Sequence, residues 1–266
     1  MKKCLRNSLI GLLGLFLIGY LAYEKIPLVR VAVSKRHGAQ EVLESIYFRI
    51  LNCGSIYNFL QKSYNTFHIP KKGIIHIGAR YAEELKCYEH FDIPNILWIE
   101  ADPEAEQKLK KAVENNKGST VALFAVSDQN GTATLHQTSN EGHSSSLLKL
   151  KEHSKYYPGI TESKAIEVPA KRLDDYLSAE EKSKYNVIVI DIQGAELIAL
   201  KGAIETLEHI DAIIAETNYD ELYEGSVFVQ DLDGFLARHG FTRTDSMSIK
   251  HYTGDALYIK NKFFKS

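Results

Sequence analysis

Short apolar runs alternate with amphipathic stretches along most of the chain after residue 70. The apolar runs predict strands at 73–78, 95–103, 120–128, 131–138, 187–191, 210–218 and 254–261, with the fourth expected to be antiparallel. Apolar positions at helical spacing predict helices at 82–91, 104–116, 195–207 and 229–241. Because strands alternate with helices of about a dozen residues, the pattern predicts an α/β, Rossmann-like domain over residues 71–266. Its sheet should be mostly parallel, with helices on both faces.

The first 70 residues follow a different pattern. Lys2, Lys3 and Arg6 precede residues 8–23, which carry no charge. As a helix this run would be roughly 24 Å long, which is short for a span but usable in a thin bilayer. We therefore predict a tail (1–7), a transmembrane anchor (8–23) and a helical linker (24–70). A cleaved signal peptide is the alternative, although the run lacks a good small-x-small cleavage pattern.

Charge and cysteine content narrow the function classes. The formal net charge is −2, so no overall positive field predicts a nucleic acid partner. Cys4, Cys53 and Cys87 show no CxxC spacing, and a reduced compartment is the simpler interpretation, with a Cys53–Cys87 bridge as the alternative.

Candidate chemistry lies where the predicted strands end. In open parallel sheets the ligand binds at the carboxyl ends of the strands, near the point where strand order reverses. The residues at these ends are Gly78, Glu100, Asp128, Asp191 and Glu216. Taken together, one glycine and four acids at one sheet edge indicate a ligand site.

Each of these residues has a physical role available. Gly78 would let the backbone approach a ligand closely, and Glu100 would accept hydrogen bonds from ribose hydroxyls. Asp128, which follows Ser127, would accept from the exocyclic amine of a nucleobase. Asp191 and Glu216 would then lie toward the substrate.

The turn after the first strand restricts the nucleotide. Its sequence, HIGARYAEE, lacks the G-x-G-x-x-G pattern and places Glu83 and Glu84 where a pyrophosphate would lie. Because two carboxylates would repel phosphates, the site suits a nucleoside with a cationic centre and no phosphate. S-adenosylmethionine has that chemistry.

The motifs also resemble a known family. In order, LWIEADP, AVSDQNG, SSSLL, VPAKRLDDY, IDIQGAELIALKGA, AETNYDELYEG and GDALYIK resemble the FkbM family of S-adenosylmethionine-dependent methyltransferases, over about residues 73–260. The resemblance implies a class I methyltransferase fold, with seven strands of which the last is antiparallel. It also implies O-methylation of a hydroxyl on a sugar or another small molecule. By position, Gly78, Arg80, Glu100, Ser127 and Asp128 are expected to contact the cofactor.

The chain departs from the family pattern at several positions. The usual first motif is Asp-x-Gly-Ala-Asn-x-Gly, and here His76 replaces the Asp, Arg80 the Asn and Ala82 the second Gly. Gln193 stands where the family usually has Glu. A non-catalytic scaffold with the methyltransferase fold is therefore an alternative.

Methyl transfer to a hydroxyl needs a group that removes the proton. Asp191 is the first candidate for the general base, and His143 in the 138–160 insertion is the second. Asp191 and Glu216 are also candidate ligands of Mg²⁺, which prefers oxygen donors. Ser144, Ser145 and Ser146 are expected either to bind substrate or to form local hydrogen bonds within a lid. Glu196 is expected to interact with the dipole and the backbone donors of its helix's first turn, and not to act as a catalyst.

A membrane-anchored glycosyltransferase is the other class considered. Asp231 to Asp233 forms a DxD triplet, but the surrounding apolar residues have helical spacing, while a catalytic DxD ends a strand. Positive charges flank the predicted anchor on both sides, so they do not set its orientation. A cytoplasmic catalytic domain is favoured because S-adenosylmethionine is made in the cytosol.

Overall fold

A computed structural model describes residues 53–250 and 252–264 of the chain. The chain divides into two units, Met1–Asn58 and Phe59–Ser266. The predicted tail, anchor and most of the linker lie outside the described residues. Within the described part, no helix is both long enough and apolar enough to cross a membrane.

Ten strands and nine α-helices make up the described residues. The strands are β1 (Ile74–Ile77), β2 (Ile96–Glu100), β3 (Ser119–Leu123), β4 (Ala125–Val126), β5 (Gly131–Thr138), β6 (Glu162–Lys171), β7 (Val187–Ile190), β8 (Ala212–Asn218), β9 (Phe241–Lys250) and β10 (Thr253–Lys260). The helices are α1 (Gly54–Asn65), α2 (Leu85–His90), α3 (Pro103–Val113), α4 (His153–Tyr156), α5 (Leu173–Tyr176), α6 (Ala179–Lys182), α7 (Glu196–Lys201), α8 (Ile204–Leu207) and α9 (Val229–Arg238). A 3₁₀ turn, Asn261–Phe263, follows β10.

The second unit is built on a seven-stranded mixed sheet in the order β3-β2-β1-β7-β8-β10-β9. The pairs from β3 to β8 are parallel, and β10 runs antiparallel to both of its neighbours. The order reverses between β1 and β7, where Ile77 lies beside Ile190. This is the α/β class I methyltransferase architecture, so the prediction of seven strands with an antiparallel last strand is confirmed.

Alternation along the central strands divides the core into two faces. One face buries the aliphatic residues at alternate positions, such as Ile75, Ile188 and Ile213, in one apolar cluster with residues of α7 and α9. Each fully buried aliphatic side chain contributes about 1.5–3 kcal/mol relative to exposure. The central strands are therefore held firmly in register, and their last residues are fixed in space.

The helix predicted over 104–116 is α3, which begins at Pro103. Asp102 accepts a hydrogen bond from the Glu104 amide at 2.8 Å as the N-cap of α3, and Pro103 takes the first helical position.

The predicted third strand is wrong in its second half. Ser119–Leu123 pairs with β2, whereas Ala125–Val126 turns away into a separate three-stranded sheet of order β4-β6-β5. β6 is hard to predict from its sequence, because most of its residues are exposed and Pro169 lies within it. Asp128 therefore follows a strand of the small sheet and does not end a strand of the main one.

Two further elements differ from the predictions. The helix predicted over 195–207 is two short helices, α7 and α8, separated at Gly202 and Ala203. The edge strand β9 was not predicted, because its sequence, FTRTDSMSIK, has no apolar run. Both described cysteines, Cys53 and Cys87, are buried thiols that form no disulfide with each other.

Candidate functional site

The site lies at the carboxyl ends of the central strands, where β1 and β7 meet. Gly78 follows β1 with a φ of 85°, a left-handed conformation that favours glycine. A Cβ at Gly78 would lie 2.0 Å from the Asp191 carbonyl oxygen, so a side chain would force the two loops apart. Gly78 therefore sets how closely the β1 and β7 loops approach each other.

Glu100 ends β2 and organises the adjacent backbone. Its Oε2 accepts from the Arg80 amide at 2.7 Å, and its Oε1 accepts from the amides of Ala101 and Asp102, both at 2.8 Å. Burial raises the pKa of this carboxyl, and the three amide donors oppose that shift. Because each carboxylate oxygen has two acceptor positions, Oε2 can still accept from a ligand hydroxyl.

The loop between β1 and α2 has an unusual backbone. Arg80 and Ala82, which replace Asn and Gly of the usual family motif, have φ values of 43° and 57°. The left-handed conformation that the second glycine would favour is thus kept by an alanine. The Arg80 guanidinium forms an ion pair with Glu83.

His76 occupies a wholly buried position on β1. Its Nδ1 lies 2.8 Å from the Tyr88 hydroxyl, and its ring stacks on Trp98 with centroids 5.1 Å apart. Burial lowers the pKa of His76 to about 3, so the ring is neutral. The residue that replaces the family's Asp is therefore an uncharged core residue.

Three carboxyl groups meet at the ends of β7 and β8. Asp191 follows β7, Glu216 lies in β8 and Glu196 begins α7, and each offers an oxygen within 4.8 Å of the others. Glu196 is buried, with 2% of its surface exposed, and its Oε1 accepts from the amides of Ile192 at 3.0 Å and Gly194 at 3.1 Å. The first-turn role predicted for Glu196 thus extends to the loop before its helix.

Gln193 links two of these carboxyls. Its Nε2 donates to Asp191 Oδ1 at 2.7 Å and to Glu216 Oε2 at 3.0 Å. The Tyr223 hydroxyl donates to Gln193 Oε1 at 2.6 Å, which fixes the orientation of the amide. Thr253 donates to Glu216 Oε1 at 3.1 Å, so both oxygens of Glu216 have donors.

Crowding and burial raise the proton affinity of the three acids. Asp191 has an exposed surface, but the surrounding protein desolvates its carboxyl and thereby raises its pKa. Hydrogen bonds with Gln193 and Glu216 partly offset this rise. Burial raises the pKa of Glu216 well above its ordinary value, and the charges of Asp191 and Glu196 raise it further. Burial raises the pKa of Glu196 to about 7. Glu216 therefore binds its proton more tightly than an ordinary glutamate does.

Asp255 is a fourth acid at this level of the sheet, and the sequence interpretation missed it. It lies directly opposite Glu216 in the antiparallel β8–β10 pair, and its charge adds to the rise in the Glu216 pKa. It lies in the motif GDALYIK, but its antiparallel partner cannot be inferred from spacing alone.

Hydrogen bonds hold the 138–160 insertion against the same edge of the sheet. The buried Ser146 hydroxyl donates to the Gln193 carbonyl at 2.8 Å, and Ser144 Oγ lies 3.2 Å from His153 Nε2. These contacts favour the local-bond interpretation for Ser144 and Ser146. His143 is exposed, and its proximity to Asp191 lowers the pKa of that carboxyl.

Ser127 and Asp128 lie at the start of the small-sheet connection. The Ser127 amide donates to the Lys171 carbonyl at 3.0 Å. The Ser127 carbonyl oxygen packs against Gly202, where an added Cβ would lie only 1.9 Å from that oxygen. The Ser127 hydroxyl donates to Asp128 Oδ1 at 3.4 Å, and Asp128 is exposed. The structure thus brings Gly78, Asp191 and Glu216 together, while Asp128 is attached to a different sheet.

The Asp231–Asp233 triplet has structural partners. Both residues lie in α9, where Asp231 Oδ2 accepts from the Phe228 amide at 3.2 Å. Asp233 accepts from the Tyr258 hydroxyl at 2.8 Å and pairs with Arg243 at 3.0 Å. The triplet is part of a helix, as its spacing predicts, and does not end a strand.

Comparisons with known proteins agree with this geometry. A family model described as Methyltransferase FkbM domain matches residues 76–242. The chain is 30% identical over 135 residues to the 2-O-methyltransferase NoeI of Sinorhizobium fredii, a match that covers 48% of this chain and 56% of NoeI. The chain thus spans about half the length of this curated relative.

Two solved structures are similar to this chain at low sequence identity. Magnesium protoporphyrin IX methyltransferase (ChlM) from Synechocystis PCC 6803, with bound SAM, is 8% identical, with a TM-score of 0.46 over 90% of this chain and 93% of ChlM. TrmK of M. capricolum, in complex with S-adenosyl-homocysteine, is 13% identical, with a TM-score of 0.41 over 71% of this chain and 62% of TrmK.

Proposed function

Because the chain belongs to the FkbM family of S-adenosylmethionine-dependent methyltransferases, we propose that it methylates a hydroxyl oxygen of a sugar or another small molecule. The 2-O-methyltransferase activity in the name of NoeI supports this acceptor class. The hydrogen-bonded group of Asp191, Gln193 and Glu216 carries the proposal, since a hydroxyl must lose its proton.

In this proposal Asp191 is the general base. A hydroxyl is a weak acid, and a base with a raised pKa accepts its proton more readily than an ordinary carboxylate does. The pKa of Asp191 is raised, and its exposed surface lets an acceptor reach it. Gln193 and Glu216 hold the carboxylate in place through hydrogen bonds.

S-adenosylmethionine supplies an electrophilic methyl group on a sulfonium when it is bound. Gly78, Arg80, Glu100, Ser127 and Asp128 would hold it, with Glu100 accepting from the ribose and Asp128 from the adenine. Two features fit such a ligand: Glu100 Oε2 keeps an acceptor position, and Arg80 Nε is buried without a hydrogen-bond partner among the described residues. As Asp191 takes the hydroxyl proton, the acceptor oxygen becomes nucleophilic toward the methyl group.

Mg²⁺ bound by the same acids is the alternative to a general base without a metal. Carboxylate oxygens of Asp191, Glu196 and Glu216 lie within 4.8 Å of one another, which is a donor set suited to Mg²⁺. Gln193 Nε2, however, already donates to Asp191 and Glu216. Mg²⁺ between these two acids would require the Gln193 amide to turn. Activity that is lost with EDTA and restored by Mg²⁺ would assign the metal, whereas unchanged activity would assign the base alone.

The test is methyl transfer from labelled S-adenosylmethionine to a panel of sugars and small polyols, with wild type, Asp191→Asn and the exposed control Asp175→Asn. We expect Asp191→Asn to lower kcat by about 100-fold or more, with cofactor affinity within about threefold of wild type. Asp175→Asn should match wild type. Unchanged kcat in Asp191→Asn would overturn the base assignment, and labelling of amines but no hydroxyls would overturn the acceptor class.

We also propose that residues 8–23 anchor the chain in a membrane, with the catalytic unit on the cytoplasmic side. This rests on the uncharged run between basic residues and on the cytosolic source of S-adenosylmethionine. A C-terminal tag that is digested by protease in inside-out vesicles and protected in right-side-out vesicles is expected. The reverse pattern would refute the orientation, and a wholly soluble chain would refute the anchor.

A further inference from the structure

Tyr156 and Tyr252 form an aromatic stack that has no part in the proton transfer described above. Their ring centroids are 3.9 Å apart, and the ring planes differ by 22°. Both residues are half-buried, so part of the stack is open to solvent. Tyr219, which is 38% exposed, lies beside the stack, because its amide donates to the Tyr252 carbonyl at 2.9 Å. Partly exposed aromatic rings of this kind bind ligands that have an apolar face.

The register of the sheet gives the position of the stack relative to the acid cluster. Ile190 pairs with Ala215, so Asp191 lies at the level of Glu216. Asp255 lies directly opposite Glu216, and Tyr252 comes three residues before Asp255. At about 3.3 Å for each strand residue, the Tyr252 backbone is therefore roughly 10 Å beyond the level of these acids. This separation exceeds the width of one sugar ring.

Polar groups lie between the acid cluster and the stack. Glu216 and Asn218 share one face of β8, because side chains two residues apart in a strand point the same way. Asn218 is 3% exposed, and its Oδ1 has no hydrogen-bond partner in the part of the chain that the structure describes. Asp220 follows in the chain and accepts from the Tyr156 hydroxyl. The exposed Lys155 adds an ammonium group, with its Nζ 5.2 Å from the centroid of the Tyr156 ring.

A sugar ring has the chemistry that matches this surface. One face of the ring presents C–H groups that pack on an aromatic ring, and its rim carries hydroxyls that bind carboxylate, amide and ammonium groups. A lipid chain or an apolar peptide would instead bring apolar groups against Asp220 and Lys155 and remove water from both charges. The combination of stacked rings with bordering charges therefore favours a sugar.

We propose that the Tyr156–Tyr252 stack binds a second sugar unit of the acceptor, next to the unit that is methylated at Asp191. This inference rests on the proposed O-methyltransferase function and narrows it, because the acceptor is then an oligosaccharide or a glycoside with at least two sugar units. A monosaccharide at Asp191 would not reach the stack, which lies about 10 Å beyond the level of the acids. The stack thus lowers the KM of longer acceptors and leaves the proton transfer at Asp191 unchanged.

The test compares monosaccharides with trisaccharides in two assays on the full chain. Glucose, mannose and N-acetylglucosamine are paired with cellotriose, mannotriose and chitotriose. Methyl transfer from labelled S-adenosylmethionine gives kcat and KM, and saturation-transfer NMR reports sugar binding without any chemistry.

The variants separate the rings from their surroundings. Tyr156→Leu and Tyr252→Leu remove one ring each, whereas Tyr252→Phe keeps the ring. Phe264→Leu is the matched control, because Phe264 is 41% exposed and its ring centroid lies 5.6 Å from that of Phe67. Phe264 lies past the other end of β10 from the stack.

For wild type, we expect a KM that is about 10-fold lower for at least one trisaccharide than for its monosaccharide. Tyr156→Leu and Tyr252→Leu should each raise the KM of that trisaccharide by roughly 3- to 10-fold. The KM of the monosaccharide, kcat and the affinity for S-adenosylmethionine should stay within about twofold, because the stack does not contact the acids. Tyr252→Phe should retain most of the trisaccharide preference, and Phe264→Leu should match wild type.

Several results would overturn the second subsite. Equal KM values for trisaccharides and monosaccharides, or a trisaccharide KM that neither leucine variant changes, would do so and would leave the O-methyltransferase proposal intact. Loss of S-adenosylmethionine affinity together with trisaccharide binding would mean that the stack only packs the 138–160 insertion against β10. If no sugar is methylated, the sugar acceptor class fails. Trisaccharide binding by NMR that both leucine variants weaken would then still support the subsite, and absence of such binding would overturn it as well.

Discussion

Replacing Glu196 by Gln tests whether ionisation of Glu196 within the acid cluster destabilises the folded protein. Glu196 is buried beside Asp191, and its Oε1 accepts from the amides of Ile192 and Gly194. Glutamine has nearly the same shape, and its carbonyl can keep both amide bonds. Its NH₂ group can donate toward Asp191, whose charge acts on this position.

The magnitude follows from proton linkage. Burial raises the pKa of Glu196 from 4.5 to about 7 in the folded protein. The folded state therefore binds more protons than the unfolded state between these values, and stability falls as pH rises from 4.5 to 7. At about 1.36 kcal/mol for each tenfold change in proton affinity, the full loss above pH 7 is roughly 3 kcal/mol. Glu196→Gln removes this loss.

Urea unfolding at pH 5 and pH 8.5 measures the effect. We expect Glu196→Gln to exceed wild type by about 2–3 kcal/mol at pH 8.5 and by less than about 1 kcal/mol at pH 5. Glu104→Gln is the matched control, because Glu104 also lies in the first turn of a helix but is exposed. It should change stability by less than about 1 kcal/mol at both pH values. A Glu196→Gln effect that is the same at both pH values would refute the reasoning.

Three further substitutions test neighbouring features. Gln193→Glu removes the donor to Asp191 and Glu216, so we expect the unfolding free energy at pH 8 to fall by about 1–3 kcal/mol in urea titration; no change would contradict the bridging role. Tyr223→Phe frees the Gln193 amide, and kcat should fall by about 10-fold while cofactor affinity, measured by titration, stays within about twofold; equal losses in both would mean a general packing defect. His68 is exposed with a φ of 55°, so His68→Gly should stabilise the chain by about 0.5–1 kcal/mol in thermal unfolding, and a loss would show that this φ carries no strain.

The central strands were predictable from sequence because their signal is local. Val187 to Ile190 are buried on both faces, and such a run has few alternatives to an interior strand. The same holds for β1, β2 and β8, so the sheet edge and the residues that end it followed from the pattern. Elements outside the core did not follow, because β6 and β9 have polar, exposed sequences whose pairing depends on distant residues.

The candidate site was predictable in part for the same reason. Asp191 and Glu216 end or occupy buried parallel strands, so their proximity could be inferred from the fold. Asp255 lies opposite Glu216 through antiparallel pairing, and Glu83 is brought in by an ion pair within a loop. Neither contact leaves a spacing signal in the sequence. The bridge formed by Gln193 also depends on a positive φ of 58°, which a sequence pattern does not show.

Gln193 connects the departure from the family pattern with the chemistry of the site. A glutamate at this position would add a carboxylate to Asp191, Glu196 and Glu216, and such a group would favour a cation. The amide instead donates to Asp191 and Glu216 and is itself oriented by Tyr223. An amide donor stabilises these carboxylates without adding a further negative charge to the cluster. The glutamine therefore places a hydrogen-bond donor, and not a fourth carboxylate, between Asp191 and Glu216.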